Sequence, residues 1–415
     1  MLKKLVAVMS MASLMLIAAG CGQQSKGLEV SSNAVYDKDD YKKIVSANNG
    51  LGFRLLPEVN EDEHGNRIIS PMSLYMALSM VYNGADGRTQ EEIAKALQVK
   101  GIAADDLNEA NASLLSMLHR NSEQVQLYVA NSVWLNTKYR FQKDFSKKVS
   151  DYFNAALHEI DIKDSQSANK INDWVKESTN SKIEHIVNEP LSADLAAILI
   201  NTMYFKGQWT NEFEKKNTTN RPFYLADGTK KEVPLMKLEK KIAYLENDHF
   251  QAVSLPYGED EKMSMKIFLP REGLNLEDFQ KLLTNKHWQQ WSSGFIKKQG
   301  TVLLPKFKLE YEVAFKEPLQ ELGIHEAFGA KANFSKMIEE KEPFFISEVK
   351  QKTFIDVNEK GTEAAAATSV TVKTGGEPAT PFQMEVNRPF FVAITDDTTD
   401  IILFMGTIAN PQQGE

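Results

Sequence analysis

The sequence predicts an α+β fold, and three observations predict it. Apolar residues recur at helical spacing in some stretches and alternate in others, and the two kinds are interspersed without a regular strand-helix-strand rhythm. Leu195 to Phe205 is nearly all apolar, as expected of a strand covered on both faces. No internal repeat is visible, and pattern alone goes no further than this fold class.

Composition sets the outer limits. The chain has 415 residues, of which 42% are hydrophobic and 25% charged, enough to bury a large core and far from disordered or collagen-like usage. Its 48 basic residues face 56 acidic ones, and a formal charge of −8 makes a poor nucleic-acid or polyanion binder. Lys3-Lys4, an apolar run from Leu5 to Ala19 and then Gly20 form a secretory leader over 1–20, too short for a convincing membrane span. The single cysteine, Cys21, comes directly after Ala18-Ala19-Gly20 in a pattern that resembles the lipobox of bacterial lipoproteins, with Ala18 where leucine is more usual. An extracytoplasmic protein held on the outer membrane or cell surface by lipidated Cys21 is therefore expected, with residues 21–40 as a polar tether and no disulfide.

In chain order, Tyr41–Val59 reads as a helix with Leu51, Leu55 and Leu56 on one side, 62–66 as a turn and Ile68-Ile69 as a short strand. Ser70-Pro71 starts a helix for a physical reason: the serine oxygen can accept an orphan amide, and proline is tolerated in the first turn. Leu74, Ala77, Leu78 and Val81 give that helix a core face, and Gly84 can end it. Leu107–Leu118 is an amphipathic helix, Val125–Leu135 a strand, Phe141–Phe153 a helix, and Ile171, Trp174 and Val175 an apolar stripe on another. Asp227-Gly228 marks a hairpin, with strands at Ile242–Leu245, Ala252–Pro256 and Met263–Leu269. Leu276–Leu283 is a short helix, Val302–Tyr311 a strand with Pro305 at an edge or bulge, and Pro318–Leu322 a helix closed by Gly323. Phe345–Val357 is a long extended run and Ile401–Gly406 the last core strand.

The segment beyond that extended run reads two ways. Taken with period two, Thr362, Ala364, Ala366, Thr368, Val370 and Val372 make one small or apolar face. That is the pattern of a strand that could slide into a crowded sheet. Yet the segment lies between Gly361 and Gly375-Gly376, Pro378 and Pro381, the marks of a long loop. Loop in context and strand in pattern imply two states.

At these residues the sequence resembles a known family. Glu359-Lys360-Gly361-Thr362-Glu363-Ala364-Ala365-Ala366-Ala367-Thr368 is similar to the reactive-loop hinge of inhibitory serpins, and Met384 to Ile394 is similar to the serpin signature on a C-terminal core strand. Ser70-Pro71-Met72-Ser73, Ile171 to Val175, Asn201 to Trp209 and the segment from Gly84 to Ile93 also resemble serpin motifs. The resemblance implies that residues 41–415 form a single domain of the serpin fold, with three sheets, about nine helices, an exposed reactive loop and a metastable native state. It implies a suicide-substrate inhibitor of serine proteases, and by extension of cysteine proteases, that traps the acyl-enzyme by inserting its cleaved loop into the main sheet. The alternative is a non-inhibitory serpin-fold binding protein.

By the same resemblance Ser70, Ser73, Asn201 and Gln351 form the cluster that holds the sheet shut, and Trp209 marks where insertion starts. Gln351 stands where many serpins have a histidine. Counting from the hinge puts the reactive bond near Gly375-Gly376, and counting back from Asn387 puts it near Pro378. Glycine and proline offer a specificity pocket little to hold. Lys373-Thr374 is the preferred bond, since Lys373 suits an acidic trypsin-like pocket, with Val372 and Thr374 for elastase-like ones and Gly375 and Gly376 as alternatives. Some serpins bind heparin on the helix matching Leu107–Leu118, but Asp105, Asp106 and Glu109 make that site unexpected here.

Enzyme motifs are thin. There is no Gly-x-Ser-x-Gly elbow, P-loop or His-Glu-x-x-His helix, and the seven histidines are far apart in sequence. The expectation is a monomer without catalytic activity, cofactor or metal, whose partners are trypsin-like and elastase-like proteases and a lipid membrane.

Overall fold

The computed structural model describes residues 28–119, 122–362 and 380–413. Among these, nine α-helices run in chain order: α1 (Val45–Leu55), α2 (Pro71–Gly84), α3 (Gly87–Ala96), α4 (Ala104–Leu118), α5 (Lys143–Phe153), α6 (Ser167–Ser178), α7 (Leu276–Gln280), α8 (Asn285–Gly294) and α9 (Lys316–Glu321). The first strands are β1 (Arg67–Ile69), β2 (Val125–Asn136), β3 (Ala156–Ile160), β4 (Ala197–Gln208), β5 (Thr219–Tyr224), β6 (Lys230–Glu246), β7 (Phe250–Tyr257) and β8 (Met263–Pro270). The rest are β9 (Ile296–Pro305), β10 (Phe307–Ala314), β11 (Glu348–Asn358), β12 (Gly361–Thr362), β13 (Phe382–Glu385), β14 (Phe390–Asp396) and β15 (Ile401–Ile408).

Hydrogen bonding joins the described strands into two sheets where three are expected. The larger runs β1-β15-β14-β8-β7-β6-β9-β13 with β5 on β6; the smaller runs β10-β11-β12-β4-β2-β3, with β11 also paired directly to β4. The cause of the merger is β6, which pairs with β5 near its start and with β7 only from Ala243 to Glu246, so two ladders share one strand.

Three other expectations are corrected by local chemistry. The single strand over Val302–Tyr311 is two, in different sheets: β9 stops at Pro305, which has no N–H to extend a ladder, and after Lys306 the chain enters β10. The helix over Tyr41–Val59 is a 3-10 turn, Asp40–Lys43, followed by α1, whose ladder runs out after Leu56 N donates to Gly52 O, because Pro57 has no N–H to continue it. The helix over Leu276–Leu283 covers only α7, and α8, capped by the Thr284 side chain, is an element the sequence reading lacks.

Residues 28–40, inside the segment read as a tether, lie on the domain. Leu28 is buried beside Leu118, Val125 and Leu127, and Ser31 and Asn33 donate to Asp151.

The main core fills the space between the sheets and around α2, whose N-terminus is capped as expected: Ser70 Oγ accepts from Ser73 N at 3.3 Å. The other face of the six-stranded sheet carries a second core, in which Ala168, Ile171 and Val175 of α6 pack on Trp134, Ile198, Ile200 and Tyr204. Because alternate residues of β4 feed the two cores, the strand is apolar throughout, as its sequence required.

Candidate functional site: a seam between two parallel strands

β4 and β11 run side by side and parallel, Ile198–Tyr204 against Glu348–Phe354. Beyond Tyr204 and Phe354 they part. Into the opening comes β12: Thr362 pairs antiparallel with Gly207 of β4 and with Val357 of β11. The first two residues of a third strand therefore already sit at the mouth of the seam.

Close backbone approach selects the residues there. Gly361 has φ +154°, and a Cβ on it would lie 2.0 Å from Gly207 O, so only glycine fits. Thr362 is fully buried, and its Oγ1 lies 2.7 Å from the Tyr257 hydroxyl. Tyr257 stacks on Trp209 with ring centroids 4.4 Å apart. Trp209 in turn binds the turn that launches β12: its backbone N–H donates to Lys360 O at 2.8 Å and its Nε1 to Asn358 O at 2.9 Å. Glu359 is anchored beside it. Its carboxylate takes a 2.9 Å ion pair from Lys306 and a 2.9 Å hydrogen bond from Thr218 Oγ1, and its carbonyl accepts from Phe213 N. Burial pushes the Glu359 pKa up, but the Lys306 ammonium and these hydrogen bonds outweigh it and hold the carboxyl below the usual range.

Midway along the seam lies a buried polar rung. Asn131, Asn201 and Gln351 sit opposite one another on β2, β4 and β11. Gln351 Nε2 donates to Asn201 Oδ1 at 2.6 Å and to Ser70 O at 3.1 Å, while Gln351 Oε1 accepts from Ser70 N at 2.8 Å. Asn201 Nδ2 donates to Ser73 Oγ and Asn131 Oδ1. All four of Ser70, Ser73, Asn201 and Gln351 are fully buried. The glutamine thus ties the start of α2 to both strands of the seam, using donor and acceptor together.

A cover spans the seam on its outer face. α6 rests on the β2 and β4 side, and Asn172 of α6 holds the loop after it through bonds with Ile186 N and with Val187 N and O. From β11, Lys350 Nζ reaches Ile186 O at 3.1 Å and Lys352 Nζ reaches His185 O at 2.8 Å. Glu310 of β10 steadies Lys352 at 2.8 Å.

Of the residues expected at the site, Ser70, Ser73, Asn201, Gln351, Trp209, Glu359, Gly361 and Thr362 lie along this one seam. Glu363 to Thr368 of the hinge, Val372 to Gly376 around the reactive bond, and Cys21 lie outside the described residues. Sequence reasoning missed Lys306, Thr218, Tyr257, Lys350 and Lys352. Lys306 carried a weak signal, being the residue after a strand-ending proline; the others carried none.

A family model described as serpin (serine protease inhibitor) matches residues 46–411. Iripin-2 of Ixodes ricinus is 34% identical over 378 residues, spanning 88% of this chain and 93% of its own. Human serpin I2 is 30% identical over 374 residues, spanning 89% and 92%. Among solved structures, the thermophilic serpin tengpin in its native state superposes with a TM-score of 0.85 at 32% identity, over 92% of this chain and 97% of that one. Thyroxine-binding globulin, in complex with thyroxine, shares the fold with a TM-score of 0.80 at 24% identity, over 89% and 100%.

Proposed function

The chain belongs to the serpin family, and from that premise we propose that it is a protease trap of the suicide-substrate kind. A serine protease, or a cysteine protease of similar chemistry, attacks the loop and forms an acyl bond, which splits hydrolysis into two steps. The freed upstream part then enters the seam between β4 and β11 and draws the tethered protease away before water completes the reaction. Membership alone leaves room for a binding role, as the thyroxine complex of thyroxine-binding globulin illustrates. The observation that carries the inhibitory reading is β12, already paired to both walls of the seam in the direction an entering strand needs.

The register of those pairs predicts how entry ends. Continued one residue at a time from Thr362, it sets Thr368 between Asn201 and Gln351, so the threonine hydroxyl takes over the bond between them. It also sets Thr371 beside Ile198 and Glu348, the latter being the first residue of β11. Lys373 is the first residue past the end of β4 on this register, which favours Lys373-Thr374 as the reactive bond over Gly375-Gly376. The side chains turned toward α2 would be Ala364, Ala366, Thr368, Val370 and Val372, all small or apolar. About ten residues become paired on two sides; at roughly 1 kcal/mol net per hydrogen bond, the release is on the order of ten kcal/mol, comparable with the stability of a whole domain.

We place the protein outside the cytoplasm, held to a membrane by lipid on Cys21, as a monomer that is not itself a catalyst. Incubation with trypsin and with an elastase tests the trap: bands that survive denaturing electrophoresis at the summed mass are expected, and complete turnover of the chain without such bands would overturn it. Clipping the loop should raise the melting temperature by on the order of 10 °C or more; an unchanged value would identify a binding protein of the same fold.

A further inference from the structure

The nine-stranded sheet has a gap where β6 leaves β7. β6 pairs with β7 only from Ala243 onward, and its preceding residues pair with β9 instead. Between them lies a cavity of about 160 Å³. Trp209, Ile242 and Leu255 give it apolar walls, Ser254 and Ser264 line it with their hydroxyls bonded to each other at 3.1 Å, and the exposed Lys241 stands on its rim. The other charges there are committed: Glu261 pairs with Lys297 at 3.5 Å, and Asp397 accepts from the buried Lys266. Lys241 is exposed and has no ion-pair partner among the described residues. A cavity of roughly 150 Å³ is large enough to take a benzene ring, and a cation at the mouth of an apolar slot selects an anion with an apolar body.

We propose that this cavity binds a small aromatic carboxylate of about benzoate size, its ring against Trp209 and Ile242 and its carboxylate on Lys241. The occupant would also regulate the trap, a part that rests on the protease-trap reading. Trp209 holds both Asn358 O and Lys360 O, and through Tyr257 it touches Thr362. A ligand that pins Trp209 pins the turn from which the inserting strand starts, and so delays entry.

Equilibrium dialysis of the full chain with benzoate and with benzyl alcohol, in the absence of protease, tests the site. Saturable benzoate binding is expected, weakened at least ten-fold by Lys241→Met, with benzyl alcohol affected less than two-fold. No saturable benzoate binding, or equal binding by the variant, overturns the site. Ala243→Leu, which narrows the cavity, should weaken both probes; unchanged binding by a variant with a normal melting curve would place the ligand elsewhere and also overturn it. Saturating benzoate should then slow formation of the trypsin complex at least two-fold in the parent chain and not in Lys241→Met. An unchanged rate overturns the coupling alone. Failure to form any complex, with or without benzoate, overturns the trap reading and the coupling with it, while the dialysis result still decides the site.

Discussion

Gln351 Nε2 lies 2.6 Å from Asn201 Oδ1, and the same amide exchanges two further hydrogen bonds with the backbone of Ser70. Side chains of two parallel strands and the cap of a helix are thereby satisfied by one buried group. Gln351→Leu removes it at nearly constant volume and leaves Ser70 N and Asn201 Oδ1 without that partner. The uncleaved protein should lose about 1–3 kcal/mol in urea unfolding. A loss below about 0.5 kcal/mol would mean that the rung does not hold the seam.

Glu359 supplies a pH dependence with a definite sign. Its carboxyl is held below the ordinary value of 4.5, chiefly against burial by Lys306. A depressed folded-state pKa means that the unfolded chain takes up the proton first as pH falls. The contribution is therefore fully present above the ordinary glutamate range and is lost as pH drops through the folded value. Melting curves from neutral to acid pH should fall less steeply for Glu359→Gln than for the parent chain.

At Gly361 the room for a side chain is absent, since an added Cβ would sit 2.0 Å from Gly207 O. Gly361→Ala should unseat β12 from the mouth of the seam, and Thr362→Arg should block entry by placing a charge where a buried hydroxyl now meets Tyr257. Both variants are expected to be cleaved by trypsin as substrates, with at least a ten-fold fall in the yield of covalent complex on a denaturing gel.

Lys373 is expected to supply the residue that trypsin reads. The small peptide released on complex formation should begin at Thr374 by mass spectrometry. Lys373→Ala should slow trypsin inhibition at least ten-fold while leaving elastase-like targets much less affected.

How much of the fold and the seam was legible in the sequence depended on the range of each interaction. Ser70-Pro71 announced the start of α2 because capping is local chemistry, and Leu195 to Phe205 announced a strand between two cores because both faces must be apolar. Gly361 was legible because a glycine at the edge of a strand-like run is visible without any partner, while the small residues expected after Thr362 lie outside the described residues. By contrast, Lys306 and Glu359 are far apart in the chain, and only the switch of sheets after Pro305 brings the lysine to the carboxylate. The bond from Trp209 to Asn358 O was hidden for the same reason, since an acceptor on the backbone leaves no mark in a sequence. The two-sheet arrangement was hidden too, because the sharing of β6 between ladders depends on where neighbouring strands diverge.

The layer formed by α6 and the loop behind it is fastened on both banks of the β4–β11 seam, by apolar contact on one and by Lys350 and Lys352 on the other. Admitting a strand moves the banks apart by about 4.8 Å, more than a lysine-to-carbonyl bond can stretch. One fastening has to let go first and re-form later. On the proposed trap mechanism the bridge is a brake whose release competes with the water that would free the protease, so the strength of two lysine contacts far from the cut bond would help decide whether an encounter ends in capture or escape.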